Sequence, residues 1–379
     1  MKNIGIYIHF PFCKSKCIYC NFLSYPQKEA LIPEYVSVVN EELKLWSEKT
    51  EDFTISSVYF GGGTPSLMTA KQLKSIMTTL KEKYALSKDC EISMEMNPAS
   101  NTAALISRLT DCGINRVSVG LQTDDDYILR EIKRPHTTKD YILTIKRLKN
   151  AGIKNISTDI ILGLPHQNNA TVKHTLQLLV DLQIPHISAY GLKVEKGTPL
   201  YKLVRDGIML LPEEDETVDM YDLVFKTLEK QKIYRYEVSN FAKVGYECKH
   251  NINYWEQGRY LGVGLNASGF IGDTRYTNLQ DMDKYIQRVK EGKRPESKRH
   301  KLSLKEAEFE YLMLSLRMER GMDIDKFNEI YYTDFLSRYK TVINKLEKIG
   351  VIVYDNHNIS VRSEKMYLLN SVLVEFMED

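Results

Sequence analysis

The 379-residue sequence has no apolar run near the roughly 20 residues that a membrane-crossing helix needs. It has no excess of one charge either: 52 Lys and Arg against 50 Asp and Glu leave a formal net charge of +2. That balance creates no field to gather a polyanion, so nucleic acid is not an expected partner. Six cysteines are too few to staple a chain of this length, which excludes a disulfide framework. The opening stretch 1–12 is apolar but short, contains His9 and Pro11, and lacks a small-residue cleavage site. It reads as a strand and not as a signal peptide. No internal repeat and no low-complexity linker is visible. A cytoplasmic protein is expected, any membrane contact being peripheral, and either a monomer or a homodimer fits.

What is present is the balance of an ordinary folded chain, 43% hydrophobic and 27% charged residues. Short β-rich runs at 4–9, 57–60, 91–97, 116–121, 155–162 and 187–192 alternate with amphipathic stretches at 33–48, 70–84, 101–112, 139–150 and 170–182. Strands alternating with helices imply βαβ units and a parallel sheet, here an α/β partial (β/α)6 barrel. In such a barrel the chemistry lies on the loops after the strands. Beyond Gly207 the rhythm changes. We expect three parts: the partial barrel over 1–232, a β-rich extension over 233–300, and a C-terminal α+β module over 301–379 in which helices followed by a hairpin resemble a winged helix. The basic run 290–301 reads as a solvated linker, with anionic lipid or an acidic partner as its functional alternative.

Three of the six cysteines crowd together as Cys13, Cys17 and Cys20, while Cys90, Cys112 and Cys248 are scattered. Crowded thiols point to a metal site in a reducing compartment. A [4Fe–4S] cube ordinarily takes four cysteines, so three leave one iron open to a ligand. The competing reading is a zinc site completed by His9, although C-x3-C-x2-C is not the usual paired zinc spacing. Directly after the second strand stands Gly61-Gly62-Gly63-Thr64-Pro65. Its glycines let the backbone approach a ligand closely, but it is neither a P-loop nor a dinucleotide fingerprint. Glu95, Gln122, Arg134 and Asp159 fall at or just beyond strand ends, where carboxylates, an amide and a guanidinium suit a polar cofactor.

The spacing Cys13-x3-Cys17-x2-Cys20, with Tyr19 before the last cysteine, resembles the radical S-adenosylmethionine (SAM) signature. The resemblance implies that SAM chelates the open iron and is cleaved reductively to methionine and a 5′-deoxyadenosyl radical. Tyr-Ile-His-Phe-Pro-Phe-Cys, Gly-Gly-Gly-Thr-Pro, Ser-Met-Glu-Met-Asn-Pro, Val-Gly-Leu-Gln and Asp-Ile-Ile-Leu-Gly-Leu-Pro together are similar to the oxygen-independent coproporphyrinogen oxidase group, from residue 4 to the C-terminus. On that resemblance the SAM contacts are Tyr7, Tyr19, Gly62, Gly63, Thr64, Glu95, Gln122, Arg134 and Asp159. Phe22 stands where the dehydrogenase of the group has a further cysteine, and the dehydrogenase's extension before the motif has no counterpart ahead of Cys13. Both departures tell against coproporphyrinogen dehydrogenase activity. His250-Asn251-Ile252-Asn253-Tyr254-Trp255 instead resembles the haem chaperones of the group. That likeness implies a third cofactor, haem, bound and delivered to acceptor proteins, respiratory ones at the membrane among them. His250 suits an axial ligand and the aromatic pair a porphyrin face. Cys248 is the thiolate alternative, and burial of His250 and Trp255 in a β-rich core is the structural one. Lying outside the six strands, the segment is expected to be separable from the cluster.

Overall fold

In the computed structural model, residues 2–99 and 102–377 are described. Six strands occupy the expected places: β1 (Lys2–Phe10), β2 (Phe53–Gly62), β3 (Ala85–Met96), β4 (Arg116–Gln122), β5 (Asn155–Leu162) and β6 (His186–Gly191). They run parallel in that order. The crossovers carry α1 (Ile32–Ser47), α2 (Ala70–Lys83), α3 (Ala103–Ile106), α4 (Asp126–Glu131), α5 (Thr138–Asn150) and α6 (Asn169–Asp181). This is the expected partial (β/α)6 barrel. In α2, Leu73, Ile76, Met77 and Leu80 recur at helical spacing and are buried. Thr69 and Gln72 close a capping box at its start. The expected helix over 101–112 is shorter: after α3 the chain tightens into i→i−3 bonds such as Leu109 N to Ile106 O. Asn101, its expected first residue, lies outside the described residues.

The sheet does not stop at the sixth strand. After α7 (Pro199–Arg205) and α8 (Glu214–Lys230), β7 (Tyr234–Glu237) and β8 (Asn240–Ala242) pair antiparallel on the edge of β6. A helix α9 (Lys249–Trp255) follows. The chain then returns to the opposite edge, where β9 (Arg259–Val263) adds to β1 as a seventh parallel strand. β10 (Ser268–Ile271), β11 (Thr274–Asn278) and, after α10 (Met282–Lys290), β12 (Glu296–Lys301) complete twelve strands in the order β12-β11-β10-β9-β1-β2-β3-β4-β5-β6-β8-β7. The basic run is therefore no linker. It is the end of α10 and an edge strand, and its charges are mostly paired: Lys290 with Glu34 at 2.6 Å, Lys293 with Glu291 at 3.1 Å, Lys301 with Asp273 at 3.0 Å. Charged edges of this kind deter edge-to-edge pairing.

Glu42 of α1 ties this late sheet to the barrel. It is fully buried and accepts from Gly264 N at 2.8 Å, Asn278 Nδ2 at 2.7 Å and the Tyr285 hydroxyl at 2.6 Å. Burial pushes its carboxyl up to about 7, against the pull of those donors. A raised acid contributes stability that is present below its unfolded value and is lost as the pH climbs through the folded one. Stability should therefore fall between pH 4.5 and about 7. Glu42→Leu should remove that slope and cost about 3 kcal/mol, because each buried donor left unsatisfied costs about 1–3 kcal/mol. Urea unfolding at two pH values reads both effects.

The C-terminal module has its own core. α11 (Leu304–Ser315), β13 (Met322–Asp323), α12 (Ile324–Tyr331), α13 (Phe335–Arg338), α14 (Lys340–Lys348), the hairpin β14 (Ile352–Tyr354) and β15 (Asn358–Val361), and α15 (Leu369–Glu375) enclose Leu312, Phe327, Phe335, Ile343 and Ile359.

Candidate functional site

Alternation along the six strands builds two surfaces. Val58, Phe60, Ile92, Met94, Val117, Val119, Ile160 and Ile187 join the main apolar core. The residues between them point the other way and bond across the barrel lumen. Ser118 Oγ donates to both oxygens of Asp159, at 3.0 and 3.1 Å. Ser157 Oγ meets His186 Nδ1 at 2.7 Å, and Tyr59 donates to Glu95 at 3.1 Å. A lumen lined by hydroxyls, carboxylates and imidazoles is built to hold a polar guest.

The cysteine loop leaves β1 and is pinned at both ends. Phe12–Cys13 pairs with Tyr25–Pro26, and Gln27 N bonds Cys13 O at 3.1 Å. Its middle is held by Ile18, buried against Ile128, Leu129, Ile132, Leu164 and Leu200. Leu200 N donates to Ile18 O at 2.9 Å. Cys13, Cys17 and Cys20 project from this loop toward two donors. Thr64 Oγ1 lies 3.5 Å from Cys13 Sγ, and Arg134 Nη1 lies 3.7 Å from Cys17 Sγ. Burial pushes the Cys13 and Cys20 thiols up, their neighbouring thiols add to this, and the Arg134 charge opposes it. His9, the alternative fourth ligand, has partners already: Tyr7 OH at 3.0 Å and Leu23 O at 3.4 Å.

The glycine turn sits on His9. A Cβ on Gly62 would lie 2.5 Å from the His9 ring, and one on Gly63 2.6 Å from Phe12 O. Gly62 also has φ +110, a backbone region open to glycine. Its N–H donates to Glu95 Oε2 at 3.0 Å. Burial first, then the charge of Asp159, raises the Glu95 carboxyl to about 7. On the other side, Arg134 Nη2 donates to Gly120 O at 2.7 Å, faces Tyr19, and leaves its buried Nε without a partner. Gln122 ends β4 in the left-handed region at φ 74, a strained setting of the kind found at functional positions. Of the residues expected to contact SAM, Gly62 meets Glu95, whose carboxyl feels the Asp159 charge, Thr64 lies against Cys13, and Arg134 joins Gly120, Tyr19 and Cys17.

His250 lies elsewhere. The segment expected in a β-rich stretch forms α9 and packs onto β2. Glu91 accepts from Lys249 N at 3.0 Å, His250 N at 3.3 Å and Cys248 Sγ at 3.4 Å. The His250 ring is buried, with Ser57 Oγ 2.8 Å from Nδ1 and Tyr254 OH 2.8 Å from Nε2. It stacks on Tyr59, centroids 5.1 Å apart, and Tyr59 bonds Glu95. The packing brings α9 closer to the glycine turn than its place outside the six strands suggests: His250 stacks on Tyr59, and Tyr59 bonds the Glu95 that accepts from Gly62 N–H. Sequence reasoning passed over Tyr59, Ser118, Glu91 and the fully buried Arg116. A polar residue at every second place of an otherwise apolar strand was the signal that could have found them.

Residues 7–179 match the model of the Radical SAM superfamily, and residues 302–366 that of the HemN C-terminal domain. The heme chaperone HemW of Bacillus subtilis is 33% identical over 372 residues, 98% of each chain. The heme chaperone HemW of Lactococcus lactis is 34% identical over 378 residues, 100% of this chain and 98% of its own. The chain belongs to the heme chaperone HemW family. A mitochondrial relative from Bos taurus, named radical S-adenosyl methionine domain-containing protein 1, is 30% identical over 99% of this chain and 88% of its own. Among solved structures, coproporphyrinogen III oxidase (HemN) from Escherichia coli superposes with a TM-score of 0.88 over 99% of this chain and 90% of that one. At 20% identity that likeness is one of fold. No helix among the described residues is long and apolar enough to cross a membrane.

Proposed function

We propose that the protein carries haem to acceptor proteins, with a [4Fe–4S] cluster on Cys13, Cys17 and Cys20 and SAM at the cluster's open iron. The observation that carries the reading is the likeness, along essentially the whole chain, to relatives named heme chaperones. The residues fit the two resident groups. Three thiols share one anchored loop beside a cation, and the orphaned Arg134 Nε with the Gln122 amide offers donors for a carboxylate. Gly62 and Gly63 leave the room that a Cβ would fill, while Glu95 and Asp159 offer acceptors for ribose hydroxyls. Bound, the cluster supplies an electron to SAM. Tyr7 and Tyr59 stack at 6.3 Å beside Glu95, to which Tyr59 donates.

For His250 to ligate haem iron, or Cys248 in its place, α9 must leave the barrel, since both ring nitrogens and the thiol are engaged. We also propose that coproporphyrinogen is not a substrate, Phe22 being 62% exposed at the place of the dehydrogenase's further cysteine. The test is to reconstitute the cluster anaerobically, titrate with ferric haem, and mix the product with an apo-haemoprotein. A stoichiometric Soret change followed by haem transfer is expected. Failure to bind or pass on haem would overturn the reading, and so would oxidised product from coproporphyrinogen and SAM.

A further inference from the structure

We infer that haem is held in the cleft between α8, the ends of β5 and β6, and the C-terminal module, and not on α9; this rests on the haem-carrying reading above. The cleft encloses about 710 Å³, within the 300–1,000 Å³ usual for small-molecule sites. Its walls are aromatic: Tyr190, Tyr221, Phe225, Phe241 and Tyr367. Tyr190 is 42% exposed although its hydroxyl is near Ser188 and Asp159. Through Tyr190 the cleft wall thus neighbours Ser188 and Asp159 of the barrel.

Its charges favour an anion with an aromatic body. Arg317 is half-buried, with its guanidinium 5.5 Å over the Trp255 ring. Among the described residues it makes no ion pair or side-chain hydrogen bond, and Glu237 answers its charge only at a distance. Lys193, also on the cleft, likewise has no ion pair among the described residues. Arg235 is committed to Glu319 and to Ser363 O and serves as wall, over the Phe225 ring at 5.0 Å. Of the cleft's acids, Asp222 pairs with Lys226 at 3.2 Å, and Glu214 and Glu364 are exposed like Lys193, so the half-buried Arg317 is the charge least screened by solvent. A planar macrocycle with two carboxylate arms matches this set. Its faces meet the aromatic walls, and its arms reach Arg317 and Lys193. Arg317 also gives Trp255 a route to the haem that needs no iron ligation by α9.

The experiment uses the full chain with its cluster reconstituted, titrated with ferric haem and, separately, with iron-free protoporphyrin followed by fluorescence. Arg317→Gln with Lys193→Gln should weaken both by about tenfold, as loss of two charge-assisted contacts predicts. Lys230→Gln, on the exposed end of α8, should change neither. The paired Gln variants keep size and polarity, and unfolding midpoints confirm that the fold is retained. Wild-type affinity in the double variant would overturn the cleft while leaving the haem-carrying reading intact. Loss of haem in His250→Ala, with the double variant unaffected, would place the haem on α9 instead. A wild-type protein that binds no haem would overturn the carrying function and the cleft with it.

Discussion

Cys17→Ala should leave the anaerobically reconstituted protein with only a small fraction of the wild-type iron and sulfide. Each thiolate of the triad is assigned one iron, and no neighbour can replace it. Cys90 and Cys112 are buried apart in the main core, and Cys248 is bonded to Glu91 under the barrel. The loop should nevertheless keep its shape, because Ile18 and the Phe12–Cys13 pairing carry its packing. Loss of cluster is then a loss of ligand and not of fold. Iron and sulfide analysis with circular dichroism separates the two, and Cys248→Ala, expected to keep the full cluster, is the control. A complete cluster in Cys17→Ala would sink the assignment.

His250→Ala should damage both stability and SAM response. The substitution removes a buried ring from between Ser57, Tyr59 and Tyr254, and leaves Ser57 and Tyr254 hydroxyls without their partner. A cavity with unsatisfied polar groups costs on the order of 3 kcal/mol. Tyr59, no longer supported from below, then holds Glu95 less firmly, and Glu95 is what Gly62 N–H bonds. SAM should perturb the paramagnetic resonance spectrum of the reduced cluster less in the variant than in the wild type, although the cluster itself remains. Tyr254→Phe loses one bond and no ring, so its cost should stay near 1 kcal/mol. If His250→Ala kept full stability and an unchanged SAM response, the coupling through Tyr59 would be absent.

The barrel was legible because parallel strands buried on one face by helices leave a strong local pattern. The run 155–162 coincides with β5, four strands differ by up to four residues at their ends, and β3 begins six residues before the expected 91. The thiol triad and the glycine turn were legible for a related reason: both are contiguous, so their chemistry is written in a few neighbouring residues. Glu95, Gln122 and Asp159 are scattered in sequence but sit on neighbouring parallel strands, and Arg134 reaches back from the α4–α5 loop to Gly120 O.

Contacts between distant segments were not legible. Nothing in 249–255 announces that it will form a helix under the barrel, because its seven residues have only one fully buried side chain, His250, and Glu91 caps them from 158 residues away. Nothing in 259–263 marks it as a partner of β1, since backbone pairing leaves no signature of its mate. The buried Glu42 reads locally as a helix-surface acid, and only its three donors from the late sheet and α10 make burial tolerable. By itself the sequence determined the barrel strands and the contiguous thiol loop, which follow from short-range periodicity and spacing, while the set of expected SAM contacts came from resemblance. Only the tertiary structure decided that His250 stacks on Tyr59, which bonds Glu95, and that an aromatic cleft lies between α8 and the C-terminal module. Both depend on packing between segments that the chain keeps far apart.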